Sequence, residues 1–178
     1  MGRSRACVRA ILASKVSGGE SLNKIDEVHL RAAIQFARDA VEKGNHPFGA
    51  LLVDREGKVL LEAENTVVTD GDVTAHAETN LVRAASRQYD ADFLAGCTLY
   101  ASTEPCAMCA GAIYWGNISR VVYGLSQEQL YAMVPGGNEG EGLRISCREV
   151  LARGSREVEV LGPNLKHEAA RVHQEFWK

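Results

Sequence analysis

Two short stretches decide how this chain folds and where its chemistry lies: Ala75-His76-Ala77-Glu78 and Glu104-Pro105-Cys106-Ala107-Met108-Cys109. The sequence between them has room for only one helix and one strand. Pro-Cys-x-x-Cys after a strand predicts a helix that begins at Pro105, because the first helical position needs no intrahelical N–H. Cys106 and Cys109 are three residues apart, so both sulfurs are expected on the same face of that helix end.

The free N–H groups and the dipole at a helix N-terminus lower the pKa of nearby thiols, and zinc binds the thiolate form. His76 would add an imidazole, which makes three protein ligands and leaves a fourth tetrahedral position open. Structural zinc sites are closed by four ligands, whereas catalytic sites keep a place for water, whose pKa zinc lowers to about 7. The pattern therefore predicts a catalytic Zn²⁺ site at His76, Cys106 and Cys109.

Glu78 lies two residues after His76, about 200° round an ideal helix, so the two side chains cannot share a helical face. They converge only if the pair sits in the first turn, where the chain enters the helix. A carboxylate beside the metal but outside its ligand set suits proton transfer from water to a leaving amine. H-x-E followed by P-C-x-x-C resembles the signature of zinc nucleobase deaminases, which makes Glu78 the predicted catalytic residue.

Other interpretations of the cysteines stay open at this point. Cys-x-x-Cys after a strand is also typical of a thioredoxin-like redox pair. A closed structural site would need a fourth ligand, for which Cys97 is nearest, although it starts the strand whose far end delivers Cys106. Cys7, Cys97 and Cys147 are otherwise expected as one tail residue and two small core residues. A zinc-stabilised binding module without turnover is the non-enzymatic alternative.

The remaining pattern alternates helices and strands after an opening hairpin. Helical spacing of apolar residues predicts a helix over residues 24–43, ended by Gly44. Strand-like runs at 48–54 and 58–64 flank the turn Arg55-Glu56-Gly57 and predict a hairpin. The later elements are expected as a helix at 74–88, a strand at 98–102, a helix at 105–115, a strand at 119–123, a short helix at 127–133, a strand at 157–161 and a helix at 164–177. This order predicts an α/β layer architecture with a mixed sheet.

Composition limits the function classes. The 178 residues fit one domain, with 46% apolar and 24% charged residues as in ordinary globular proteins. No run approaches the roughly 18 apolar residues of a membrane span, so no membrane association is expected. The net charge is −3 and the basic residues are scattered, which disfavours a long track for nucleic acid. A compact small-molecule substrate needs no such track.

The N-terminal residues 1–22 are expected to form a flexible tail, and residues 23–178 the functional domain. Arg3, Arg5, Arg9 and Lys15 among small residues could indicate an organellar transit peptide, but composition alone is a weak signal of this kind. An odd number of cysteines without framework spacing, and no apolar signal segment, argue against secretion. The expected location is therefore the cytoplasm.

The sequence resembles the cytidine deaminase-like superfamily, in the branch that holds bacterial guanine deaminases, tRNA adenosine deaminases and fungal cytosine deaminase. The resemblance runs from about residue 24 to 123 and rests on His46-Pro-Phe-Gly-Ala50, Asn65, Thr74-Ala-His-Ala-Glu78, Thr103-Glu-Pro-Cys-Ala-Met-Cys109 and Gly111-Ala-Ile-Tyr-Trp115. It implies a three-layer α/β/α sandwich around a mixed five-stranded sheet, a bound Zn²⁺, a homodimer, and hydrolytic release of ammonia from a nucleobase or nucleoside.

The resemblance also implies how the substrate is bound. Asn65 would hydrogen-bond the ring, and the backbone of Ala77 would lie beside the base. Phe48 and Trp115 resemble the pocket wall of the guanine branch, where an aromatic face can stack on a flat base; ordinary core packing is the alternative for both. Trp177, with its neighbour Phe176, could close over the pocket as a lid, or could simply dock the last helix on the sheet.

Guanine deaminases carry an acidic residue that contacts the purine amino group, and in this chain Glu139 or Glu141 would have to replace it. The aromatic residues Phe48 and Trp115 make a guanine-like purine the favoured substrate despite this departure, with a cytosine-type pyrimidine or an adenosine in tRNA as alternatives. The remaining histidines are expected outside the site. His29, His167 and His173 are expected on solvated helix faces or as charges at helix ends, and His46 is expected in a loop.

Overall fold

The computed structural model describes residues 22–137 and 142–177. The helices are α1 Lys24–Glu42, α2 Val67–Asp70, α3 Ala77–Gln88, α4 Ala91–Leu94, α5 Ala107–Trp115, α6 Gln127–Tyr131, α7 Cys147–Leu151 and α8 Lys166–Phe176. The strands are β1 Gly49–Val53, β2 Val59–Glu64, β3 Thr98–Thr103, β4 Arg120–Leu125 and β5 Glu159–Leu161. The expected tail lies outside the described residues except for Leu22, and so do Glu139 and Glu141.

The five strands form one mixed sheet in the order β2-β1-β3-β4-β5. Strand β1 pairs antiparallel with both β2 and β3, whereas β3 pairs parallel with β4 and β4 with β5. The first two strands are the predicted hairpin, and Gly57 in its turn has the positive φ of 84° that glycine accepts without strain.

Helices cover both faces of the sheet. Alternate residues of β1 point to opposite faces, and Leu51 packs with α1 and α8 while Leu52 packs with α3 and the elements around it. All five residues of β1 are buried, as expected for a central strand with helices on both sides. The predicted three-layer α/β/α sandwich is confirmed.

Helix α1 sets the position of β1. Asn23 caps the helix by accepting hydrogen bonds from the N–H groups of Ile25 and Asp26, and Gly44 leaves it with a φ of 85°. A Cβ on Gly49 would lie 2.5 Å from the carbonyl oxygen of Ala33, so only glycine permits this close approach of strand and helix. The residue before it, Phe48, is thereby held at the edge of the sheet.

Three segments of the predicted site leave the sheet at this same edge. Gly49 starts β1 and pairs with Glu64, which ends β2 just before Asn65. Because Ala50 pairs with Ala101, the end of β3 lies beside the start of β1. The chain that follows β3 carries the Cys-x-x-Cys pair, so antiparallel pairing brings residues distant in sequence to one edge.

Two helices begin later than predicted. Pro105 is not the first helical residue, because Cys106 is extended with ψ of 172° and caps α5, whose first residue is Ala107. The backbone N–H of Glu104 still bonds to Leu125, so the strand ladder continues to the residue before the proline. Helix α3 starts at Ala77 rather than at residue 74, because the side chain of Asp72 accepts from the Thr74 N–H and holds a turn there.

Two histidines are buried, contrary to the prediction of solvated faces. His29 is 8% exposed and lies 5.1 Å from the ring of Tyr100, and His173 is 1% exposed. His167 is exposed, as predicted. The prediction failed because α1 and α8 lie side by side on one face of the sheet, with α1 over β1 and β3 and α8 over β4. Helical spacing does not show which polar residue of such a helix faces inward. The short helices α2, α4 and α7 were missed because four or five residues show no helical period.

A buried ion pair joins α1 to the sheet. The Asp26 carboxylate, 3% exposed, accepts two hydrogen bonds from Arg120 at 2.8 and 3.0 Å and one from the Tyr100 hydroxyl at 2.6 Å. Burial raises the pKa of Asp26, but the bonds from Arg120 and Tyr100 outweigh it and lower the pKa below its usual range. The pair therefore fixes the first turn of α1 over β3 and β4.

Replacing Asp26 by alanine is expected to lower the free energy of unfolding by about 3 kcal/mol. This is the low end of the range for breaking a buried ion pair, because Arg120 keeps its bond to Glu159. Urea unfolding followed by circular dichroism measures this. The matched control is Glu42→Ala at an exposed position of the same helix, expected within about 0.5 kcal/mol of the unaltered protein. Equal effects from the two substitutions would contradict a specific role for the pair.

Candidate active site

His76 stands where the chain enters α3. It is the N-cap residue, with ψ of 151°, and its carbonyl accepts from the Asn80 N–H as the first helical bond. The extended cap turns the imidazole away from the helix axis. Glu78 then falls in the first turn, so the two side chains converge although two residues separate them. This is the arrangement that the sequence required for the pair to act together.

Cys106 and Cys109 occupy the first turn of α5. Cys106 is the N-cap residue and is half-buried, whereas Cys109 in the same turn is fully buried. The two sulfurs lie 3.6 Å apart. The hydrogen bond with Cys109 and the neighbouring imidazole of His76 lower the pKa of Cys106 well below its usual range, so a thiolate is stabilised at this helix end.

The N-termini of α3 and α5 meet, and this contact assembles the ligand set. His76 Nδ1 lies 3.6 Å from Cys106 Sγ and 3.5 Å from Cys109 Sγ. In a tetrahedral zinc site with ordinary bond lengths, two sulfurs are about 3.8 Å apart, and sulfur and nitrogen are about 3.6 Å apart. The three ligand atoms therefore fit one Zn²⁺ without rearrangement.

The described residues offer no fourth protein ligand in this cluster. Within 22–137 and 142–177, only His76, Cys106 and Cys109 form a group of three whose ligand atoms lie within 4.8 Å of one another. Cys97 is buried elsewhere, with its thiol 3.5 Å from the Phe93 carbonyl. Cys147 is buried in the core, as predicted for both residues. The closed structural site considered from the sequence is thus not formed.

Glu78 lies beside the ligand cluster. It is 5% exposed, and its Oε2 is 3.5 Å from Cys109 Sγ. Burial raises the pKa of Glu78 to about 7. Thr79, next along the helix, places its hydroxyl 3.3 Å from the same sulfur. A carboxylate is therefore next to the metal position without being one of the three ligands.

Asn65 lies at the end of β2, 2% exposed, with its Oδ1 accepting from the Val67 N–H at 3.1 Å. Among the described residues its Nδ2 makes no hydrogen bond, so this amide group can donate to a ligand. Ala77 is fully buried in the first turn of α3, where no intrahelical carbonyl accepts its backbone N–H. The Nδ2 group of Asn65 and the backbone N–H of Ala77 are thus available as hydrogen-bond donors near the ligand cluster.

Three polar residues that the sequence interpretation missed form hydrogen bonds to the backbone of segments around the site. Asn45 accepts from the N–H groups of Val68 and Thr69 and so caps α2. Asn80 donates to the carbonyls of Glu64 and Ala75. The buried Glu104 accepts from the N–H groups of Gln127 and Cys147, which start α6 and α7. Their only sequence signal is proximity to the two motifs.

Two aromatic side chains pack against His46, which lies near the ligand His76. The ring of His46 lies 6.0 Å from Phe176 and 5.7 Å from Trp177, which pack edge to face at 4.6 Å. Burial lowers the pKa of His46, and the neighbouring His76 lowers it further. The last helix therefore brings its two terminal aromatics to a histidine that adjoins the ligand cluster.

Trp115 lies away from this group. It ends α5, nine residues after Cys106 and so about 13 Å along the helix, and it is 86% exposed. It is not packed in the core, and it does not face the cluster of its own chain. Its role as a pocket wall stays a prediction that would require a second copy of the chain. Glu139 and Glu141 lie outside the described residues.

The comparisons with known proteins agree with this geometry. Residues 23–125 match the family model for the cytidine and deoxycytidylate deaminase zinc-binding region. The chain belongs to this family. The match confirms the family and the bound zinc that the sequence predicted. It leaves no basis for interpreting Cys106 and Cys109 as a redox pair. In the described part of the chain, no helix has both the length and the apolar character needed to cross a membrane.

Relatives with different substrates resemble the chain. A probable cytosine deaminase of Schizosaccharomyces pombe is 43% identical over 88% of this chain and 94% of its own length. The guanine deaminase of Bacillus subtilis is 43% identical over 54% of this chain and 62% of its own. A structure from a study of A-to-I editing by tRNA:A34 deaminases has a TM-score of 0.63 and 31% identity, and the match covers 82% of this chain and 99% of that one.

The purified protein is expected to carry about one zinc per chain, and Cys106→Ser to lose it, because a serine hydroxyl stays protonated and binds zinc poorly. Metal analysis by mass spectrometry measures the ratio. The control is Cys97→Ala, a buried cysteine outside the cluster, which should keep its zinc. One zinc per chain in Cys106→Ser would show that this sulfur is not a ligand.

Proposed function

We propose that this chain hydrolyses the exocyclic amino group of a free nucleobase, replacing it with oxygen and releasing ammonia. The observation that carries the proposal is the buried carboxylate of Glu78 beside three side chains, His76, Cys106 and Cys109, that can hold one Zn²⁺ and would leave a position for water. A closed site or a cluster without an adjacent base would not support turnover. Family membership adds the reaction class, since the matched region is that of zinc-binding deaminases.

His76, Cys106 and Cys109 would hold the Zn²⁺. When bound, the metal would supply a water activated for attack at neutral pH, because zinc lowers the pKa of its water to about 7. Two thiolates cancel the charge of the ion, so the site suits a neutral base better than an anionic group. The N-termini of α3 and α5 fix the ligands from two rigid elements.

Glu78 would carry the proton through the reaction. Its carboxylate takes a proton from the attacking water and delivers it to a ring nitrogen as the oxygen bonds to the amine-bearing carbon. It then passes the second proton to the amino group, the C–N bond breaks and ammonia leaves. One water is consumed and one oxo product remains, so atoms and charge balance. Burial keeps this carboxylate from exchanging protons with bulk water.

Asn65 and Ala77 would orient the base. The free Nδ2 of Asn65 can donate to a ring carbonyl oxygen, and the backbone of Ala77 lies beside Glu78, where the reacting edge must come. Phe48 offers an aromatic face at the sheet edge. These groups together recognise one carbonyl and one flat ring, which is the chemistry of a free pyrimidine or purine base.

The C-terminal aromatics favour a free base over a base within tRNA. Phe176 and Trp177 pack against His46, which lies near His76, and bulky rings beside the ligands would limit the room for an attached strand of nucleic acid. The net charge of −3 gives no general attraction for a polyanion. Relatives that act on tRNA share the zinc motif, so this choice depends on the surroundings of the metal rather than on its ligands.

Cytosine is the first candidate base. The relative named as a probable cytosine deaminase aligns over most of this chain, and the match extends beyond the metal motifs. The features that favoured guanine are weaker in the folded chain, because Trp115 faces away from its own site. Guanine stays the second candidate, supported by Phe48 and by the 43% identity with the guanine deaminase of Bacillus subtilis.

Ammonia release from cytosine, guanine, cytidine, guanosine, adenine and a tRNA anticodon arm tests the proposal. Cytosine is expected to react fastest. Glu78→Gln should lower kcat by about 10²–10⁴-fold, the usual contribution of a positioned acid and base, while zinc is retained.

The matched control is Glu62→Gln, an exposed glutamate of β2, expected to leave the rate unchanged. Full activity in Glu78→Gln would remove the proton-transfer role. Release of ammonia from the tRNA arm alone, with a steep dependence on salt, would replace the free-base proposal by a nucleic-acid substrate.

A homodimer is the second part of the proposal. Helix α5 is apolar on all sides: Cys109, Ala110 and Ile113 face the core, while Met108 and Trp115 are exposed at 37% and 86%. Helices that are apolar all round are normally buried. A second copy of the chain covering this face would bury Trp115 and bring it towards a neighbouring site.

Trp115→Glu is expected to shift the protein from dimer to monomer, because a charge would be buried against an apolar helix. Sedimentation velocity at micromolar concentration measures the mass. The control is Val28→Glu, a similarly exposed apolar residue on α1, which should remain dimeric. A monomer in the unaltered protein, or a dimer in both variants, would contradict this interface.

A further inference from the structure

His173 is a buried histidine that the proposed reaction does not use. Its side chain is 1% exposed on the inner face of α8, and both ring nitrogens are hydrogen-bonded. Burial lowers the pKa of His173 to about 4, so the ring is neutral at neutral pH. A neutral imidazole has one donor and one acceptor nitrogen, so its two partners determine which nitrogen carries the proton.

The tautomer follows from Trp177. The indole Nε1–H can only donate, and it lies 3.2 Å from His173 Nδ1, so Nδ1 must be the acceptor. The proton is therefore on Nε2, which donates to the Thr103 hydroxyl at 2.9 Å. Both bonds depend on the same neutral ring and leave it no freedom to rotate.

The same ring also touches the predicted pocket wall. The centroids of His173 and Phe48 lie 5.2 Å apart at an interplanar angle of 59°. Thr103 is the last residue of β3, three residues before Cys106, and Trp177 follows α8. One buried side chain thus connects the strand that leads to the ligands, the aromatic wall and the terminal aromatic group.

We propose that His173 is a positioning residue that holds Trp177 over the base pocket and fixes the face of Phe48, and so sets the affinity for the base. This rests on the proposed function, because it assigns the pocket to a free base. Without the Nδ1 acceptor, the indole loses its anchor beside His46 and the terminal aromatics become mobile. The proton transfer at Glu78 does not pass through His173, so the chemical step is unaffected.

Two substitutions of His173 each preserve the position of one of the ring's two hydrogen bonds and remove the other. His173→Asn keeps an acceptor near the Nδ1 position, but its shorter side chain cannot reach Thr103. His173→Gln reaches towards Thr103 and has no acceptor placed for the indole. Trp177→Phe removes the indole donor and keeps an aromatic ring. His167→Gln, an exposed histidine of the same helix, is the control.

Steady-state kinetics with the base that proves to be the substrate is the first measurement. His173→Gln and Trp177→Phe are each expected to raise KM about tenfold, the factor that one lost hydrogen bond produces, with kcat within twofold. His173→Asn should restore KM to within about threefold, since it keeps the indole bond. The double variant His173→Gln/Trp177→Phe should be no worse than either single variant, because both remove the same interaction.

Iodide quenching of Trp177 fluorescence, in a Trp115→Phe background that leaves one tryptophan, needs no substrate. Quenching should rise at least twofold in His173→Gln and stay unchanged in His173→Asn and His167→Gln. This measurement remains valid if no base is deaminated, so failure of the proposed function and failure of the anchor are distinguishable.

Several results would overturn the proposal. Equal KM and equal quenching in His173→Gln and His173→Asn would show that the Nδ1 bond does not hold Trp177. Additive effects in the double variant would show that the two residues act separately. A fall in kcat with unchanged KM would place His173 in the chemical step or in general stability instead.

Discussion

The meeting of two helix N-termini is the contact on which the rest of this structure depends. His76 caps α3 and Cys106 caps α5, and their ligand atoms stand 3.6 Å apart. Bringing a thiolate and an imidazole this close costs free energy, because both groups lose water. The cost is offset when the two groups share a metal ion or a proton. Asn80 ties α3 to the end of β2, and the buried Glu104 anchors the segment that precedes α5, so each of the two helix ends is fixed.

In the proposed function, both layers of the sandwich contribute to the site. The layer with α3 and α5 carries the ligands and Glu78, whereas the layer with α1 and α8 supplies the terminal aromatics and His173. The sheet edge between the layers presents Phe48 and Asn65. In the proposed function, chemistry and recognition therefore come from opposite faces of one sheet.

Sequence patterns were informative where a residue's role depends on near neighbours. The alternation of helices and strands, the hairpin turn at Gly57, the end of α1 at Gly44 and the family signature all have local physical causes. Patterns were misleading at helix starts, where Cys106 rather than Pro105 caps α5. They also gave the wrong environment for His29 and His173, because helical spacing identifies an apolar face but not a polar residue that a neighbouring element covers.

The sequence by itself determined the ligand types and the alternation of helices and strands, since these follow from residue chemistry at short spacings, and its resemblance to zinc-binding deaminases implied the family and the three-layer fold. The tertiary structure alone decided that Asn65, Phe48 and the end of β3 meet at one edge, because antiparallel pairing joins residues far apart in the chain. It also decided that Trp115 faces outward while His173 faces the pocket wall. Both depend on how whole helices pack, and no local spacing encodes that.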